Sequence, residues 1–142
     1  MKILISIILI ILFKINYLYG FENKILFKVN NEIITTIDIS NEINYLKSIN
    51  NKINELEKKT IIEIAKNSII KEKIKEIELK KNIKELKINE NDLKILIENQ
   101  FKKIGFTNLD EFEAYLRSKK VNIEKIKEKL IIDTFWKQMI YF

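Results

Sequence analysis

Between Glu55 and Lys81 the apolar residues Ile62, Ala65, Ile69, Ile70, Ile74 and Ile77 return at intervals of three and four, with no glycine or proline among them. That spacing sets one apolar stripe along a single long helix, and a stripe of this length has to be covered by other elements. The charges between those positions, Lys66, Lys71, Glu72, Lys75, Glu76 and Lys80, read as the solvated side of the helix. Glu55/Lys59 and Glu76/Lys80 stand in the favourable i,i+4 order.

The sequence on either side of this helix supplies its cover. Upstream, Ile39, Ile43 and Leu46 mark a first helix from Ile37 to about Ser48, which stops in the asparagine-rich stretch Ile49 to Asn54. Downstream, Asn89 followed by Asp92 starts a third helix to about Lys103, with Leu93, Ile95 or Leu96, Ile97 and Phe101 facing inward. Gly105 ends that helix, because glycine takes the left-handed closing conformation at no steric cost. A short fourth helix opens at Thr107-Asn108-Leu109-Asp110 and runs to about Ser118, with Phe112, Tyr115 and Leu116 as its apolar side. Asn122 opens the fifth, which carries Ile123, Ile126, Leu130, Ile131, Phe135, Trp136, Met139 and Ile140.

The stretch from Ile25 to Ser40 has a different pattern. Ile25, Leu26, Phe27 and Val29 make a β-favouring run, Asn30-Asn31-Glu32 offers a turn, and Ile33, Ile34, Thr35 and Thr36 start a second run. This predicts a hairpin, with Thr36 or Asp38 capping the first helix. The expected fold is mainly α: a short N-terminal β-hairpin followed by about five helices in one compact domain. A hairpin alone is marginal in water, so it has to pack on the helices or pair with a further strand.

The chain has no cysteine and no histidine, which excludes disulfides, thiol nucleophiles, Cys/His zinc sites and serine–histidine triads. No cofactor or metal is expected. Asp110, Glu111 and Glu113 form a tight acidic group, but acids in a first turn are what the helix dipole favours. The formal charge of +6 includes Lys2 and Lys14 of the N-terminal leader, which holds no acid. Lys119, Lys120, Lys125, Lys127 and Lys129 are interleaved with Glu124 and Glu128, the pattern of a solvated face, so no nucleic-acid partner is expected.

Residues 1–20 read as a secretory signal peptide: Lys2, an apolar run from Ile3 to Phe13, then Lys14 and a small residue at Gly20. The alternatives are an uncleaved membrane anchor and a buried N-terminal helix; a spanning helix needs about 20 apolar residues, and Lys14 interrupts this run. The first two readings place residues 21–142 in the periplasm, free or anchored to the inner membrane and facing it.

The order of these elements resembles a known family. A leader, Val29 to Asp38 as VNNEIITTID, a long helix, KINENDL, the short helix in NLDEFEAYLRSKKVN and IEKIKEKLIIDTFWKQMI together resemble the N-terminal domain of SurA-type periplasmic chaperones and peptidyl-prolyl isomerases. The phrase from Val29 to Asp38 is the most specific part. Two departures stand out. Ile83 to Leu86 holds no glycine where similar domains carry one, which predicts a looser turn or a longer helix there. The chain ends at Phe142, where the first parvulin module of the family would begin, so the resemblance carries over no isomerase site and implies a non-catalytic chain.

The resemblance implies a helical module that holds unfolded outer-membrane or secreted proteins, with a parvulin-type isomerase as a candidate partner. The residues agree with it in one respect. Phe135, Trp136, Met139, Ile140, Tyr141 and Phe142 make the end of the last helix apolar on every side, and a helix of that kind needs something to cover it. The candidate client-binding residues are Tyr115, Phe135, Trp136, Met139 and Ile140. A competing expectation is a truncated isomerase fragment that serves as a docking or structural domain.

Overall fold

A computed structural model describes residues 23–141; the leader, its expected cleavage after Gly20 and Phe142 lie outside the described residues. The fold is mainly α, as expected. Strands β1 (Ile25–Val29) and β2 (Glu32–Thr35) precede α1 (Thr36–Ile49), a 3-10 turn (Asn51–Glu55), α2 (Lys58–Asn82), α3 (Glu90–Ile104), α4 (Leu109–Ser118) and α5 (Ile123–Tyr141).

The hairpin forms where its sequence places it. β1 and β2 pair antiparallel with Phe27 opposite Ile34 and Val29 opposite Glu32, and Asn30 takes a positive φ of 54° in the turn, a conformation asparagine tolerates well. An irregularity at Leu26 breaks the register between Ile25 and Phe27. The inner face carries Phe27, Val29 and the buried Ile34, which pack with Ile39, Ile43 and Leu46 of α1 and Ile62, Ala65 and Ile69 of α2. The hairpin is therefore held by helices, and it is the only sheet among the described residues.

The cap of α1 lies one residue earlier than expected. Thr35, not Thr36 or Asp38, is the N-cap: the Asp38 amide donates to Thr35 Oγ1 at 3.3 Å, and the Thr35 amide donates back to Asp38 Oδ2 at 2.8 Å. Asp38 is thus the second half of a capping box. Thr36 instead ties down the start of β1, accepting from the Lys24 amide at 3.1 Å. Thr35→Ala is expected to lower stability by about 0.5–2 kcal/mol, read from chemical denaturation.

The other helix ends follow their sequence signals. Asn89 accepts from the Asp92 amide at 2.8 Å and Asn108 from the Glu111 amide at 2.9 Å, while Asn122 accepts from the Glu124 amide at 3.0 Å. Gly105 closes α3 with φ of 100°. Residues 83–89 form a non-helical connector between α2 and α3, so the looser of the two expected outcomes is the one observed.

The stripe of α2 differs from the expected one. Its buried residues are Ile61, Ala65, Ile69 and Leu79, whereas Ile74 is exposed. The inward line runs 65, 69, 72, 76, 79, so Glu72 and Glu76 occupy positions that isoleucines were expected to hold. Glu55 belongs to the 3-10 turn, which removes the expected Glu55/Lys59 pair from α2; Glu76 and Lys80 do pair, at 2.7 Å. On α3, Ile97 and Phe101 are buried and Ile95 is exposed, which leaves Leu96 as the half-buried choice of that pair.

A second apolar cluster forms between α3, α4 and the first half of α5. Ile97, Phe101, Phe112, Leu116, Val121 and Ile126 are buried there, with Tyr45 and Ile49 of α1 packed against them. Phe112 lies 6.1 Å from Phe101 and 5.7 Å from Phe106, centroid to centroid, within the range of favourable ring pairs.

Candidate functional site

α1, α2 and α5 meet around a group of charges that have little access to water. Glu42 of α1 is 3 % exposed and Lys129 of α5 is 8 % exposed. Lys129 Nζ lies 3.0 Å from Glu42 Oε2 and also donates to Glu72 Oε2 of α2. Ser68 Oγ donates to Glu42 Oε1 at 2.6 Å, and Lys125 Nζ donates to Glu72 Oε1 at 2.9 Å. The Lys129 ammonium also sits 4.5 Å from the centre of the Tyr45 ring, close enough for a cation–π contact. Every acid and base of the group has a partner, as burial of charge requires.

The expected solvated faces of α2 and α5 are therefore wrong at Glu72 and Lys129. Burial pushes the Glu72 carboxyl up, but the ammonium groups of Lys129 and Lys125 outweigh it and hold the acid below its ordinary value. Burial, followed by the charges of Glu42, Asp133 and Glu72, drives the Tyr45 phenol far above its usual range, so it stays neutral. A cleft of about 470 Å³ opens onto this group, lined by Ile34, Glu42, Tyr45, Ile69, Glu72 and Lys125 among others. Glu42 and Glu72 are each engaged by lysine. The arrangement is one of structural ion pairing.

The expected client-binding residues fall in two places. Tyr115 belongs to the α3–α4–α5 cluster, where it packs 4.9 Å from Phe106 and donates its hydroxyl to the Ser48 carbonyl at 3.1 Å. Phe135, Trp136 and Met139 are half-buried on the second half of α5, with Ile140 exposed beside them. Ile126, which shares the Tyr115 cluster, precedes Met139 by about 20 Å along the helix. Met139 Sδ accepts from Asn82 at the far end of α2, and Phe135 lines a depression of about 430 Å³ with Ile88, Ile95 and Leu96. Tyr115 and the end of α5 are thus not one surface.

Two further apolar surfaces lie outside these five residues. On the other flank of α3, Leu93, Ile97, Phe101, Leu109 and Ile123 floor a groove of about 440 Å³, rimmed by Glu90, Lys94, Glu98, Glu113 and Lys127. The i,i+4 spacing of Leu93, Ile97 and Phe101 was its only sequence signal, and that spacing equally describes a covered core face. On the hairpin, Ile25 is 64 % exposed and Ile33 46 % exposed, with Leu26 beside them. Against these surfaces the acidic group of α4 is ordinary. Thr107 donates to Glu111 at 3.1 Å and Arg117 donates to Glu113 at 3.4 Å. No helix among the described residues is long and apolar enough to cross a membrane.

No family model, curated protein or solved structure matches the chain.

Proposed function

We propose that the chain is a periplasmic client-binding module of the SurA N-terminal type, which holds unfolded outer-membrane or secreted polypeptides without catalysing a reaction. The observation that carries this reading is the pair of depressions flanking α3, an apolar one floored by Leu93, Ile97 and Phe101 and a mixed one in which Ile88, Leu96 and Phe135 lie among polar side chains. Their apolar side chains accept many kinds of partner, and the rims carry both signs of charge, Glu90, Glu98, Lys94 and Lys127 on one and Asp92 and Lys87 on the other. A surface of that kind binds by burying apolar area and selects weakly by sequence, as a holdase requires. The order of motifs from Val29 to Ile140 supports the family assignment within this proposal.

The test is to purify the chain from the periplasmic fraction and mix it in several-fold excess with an unfolded outer-membrane protein. Suppressed light scattering is expected, and weaker suppression by Ile95→Asp, a change at an exposed position, with circular dichroism checking that the variant folds. Unchanged aggregation at that excess would overturn the proposal.

The outward apolar face of the hairpin favours a second reading, a docking domain for a parvulin-type isomerase. Retention of such an isomerase by the immobilised chain, lost in Ile33→Asp, together with no effect on aggregation, would select it.

A further inference from the structure

The two apolar clusters share no residue. One is built by the hairpin, α1 and α2; the other by α3, α4 and the first half of α5, with only Tyr45 and Ile49 of α1 reaching into it. Between them lies the layer of Glu42, Ser68, Glu72, Lys125 and Lys129. No residue of α2 belongs to the second cluster.

We infer that the domain opens along this charged layer as two lobes, before either apolar cluster comes apart. Separating charges that water can rehydrate costs far less than separating the same area of apolar surface, because each ion regains the hydration it gave up. Each cluster keeps its own elements during such an opening; what parts is the charged layer, the contacts of Tyr45 and Ile49, and the packing of the first half of α5 on α2. The cleft of about 470 Å³ already reaches the layer, with Ile34 and Ile69 of one lobe on one wall and Val121 and Asn122 of the other opposite. The non-helical connector of residues 83–89 supplies the covalent joint. Fully buried Leu79 and the Asn82–Met139 contact at 3.8 Å lie at that same end of α2, so the opening pivots there and is widest at Glu42. This inference stands independently of client binding.

The sequence has no cysteine, so a single introduced thiol reports accessibility without background. Ser68 donates to Glu42 within the layer, and Ser48 is buried where the Tyr115 hydroxyl of α4 reaches α1. Ala65, fully buried in the first cluster, serves as the control. In the full chain at neutral pH, the thiols of Ser68→Cys and Ser48→Cys are expected to react with a maleimide about tenfold faster than global unfolding of the same variant allows, with a weaker dependence on urea. The thiol of Ala65→Cys is expected to react only through global unfolding. If the two serine variants also react only at the rate and urea dependence of global unfolding, measured by far-UV circular dichroism, the two-lobe opening is overturned. Should either serine variant fail to fold, the other carries the test alone.

Discussion

Lys129→Met is expected to lower the unfolding free energy by about 3–5 kcal/mol, the cost of stranding buried charge. Among the described residues Lys129 is the cation paired with Glu42, which would keep Ser68 as its partner there, whereas Glu72 would still have Lys125 at 2.9 Å. The main penalty therefore falls on Glu42. Adding Glu42→Gln to Lys129→Met is expected to recover much of the loss, because an uncharged pair has no ion left to desolvate. Urea unfolding followed by circular dichroism measures both. A loss below about 1 kcal/mol for the single change would show that water reaches Glu42 once Lys129 is gone, so that no charge is stranded.

The same group sets an acid limit. Glu72 is held below its ordinary value of 4.5, so it contributes stability that is fully present above 4.5 and is lost as pH falls through the lower folded-state value. In Lys129→Met burial acts on Glu72 with Lys125 alone opposing it. The acid limb of the stability profile is then expected to begin at higher pH than in the unaltered chain, which unfolding curves taken from pH 3 to pH 7 would show.

Phe112→Ala is the second large effect, with an expected loss of about 3–5 kcal/mol. Phe112 is fully buried and joins Phe101 of α3 to Phe106 of the following loop, so its ring holds the α3–α4 turn together. Truncation leaves a cavity whose walls come from three separate segments and cannot close it by one local movement. The groove floored by Ile97 and Phe101 should loosen with it, so the holdase activity proposed above is expected to fall alongside stability. A loss below about 1.5 kcal/mol would mean that the cluster collapses into the space instead.

Much of this fold can be read locally. Asn89, Asn108, Asn122 and Gly105 mark helix ends because a cap is decided by the chemistry of a few adjacent residues, and the hairpin follows from two β-favouring runs around Asn30-Asn31. The one-residue displacement of the first cap has a local cause as well: Thr35 and Asp38 stand three apart, the spacing of a reciprocal box, and Thr36 is drawn off by Lys24. The candidate binding set was less legible. Tyr115 and the end of α5 share aromatic character, but Tyr115 sits on α4 in the cluster reached only by the first half of α5, and the groove between α3, α4 and α5 draws its floor from three elements.

The sequence by itself determined the mainly α class, the hairpin, nearly every helix boundary and the exclusion of cysteine and histidine chemistry, because each depends on residues near one another in the chain. Only the tertiary structure decided that Glu42, Glu72 and Lys129 are inside. A charged residue on an isolated helix is assigned to water, since burial without a partner is prohibitive. Glu42 and Lys129 stand 87 positions apart, and no periodicity within α1, α2 or α5 reveals that their charges will meet and satisfy one another. That meeting turns an apparently solvated face into the boundary between two cores.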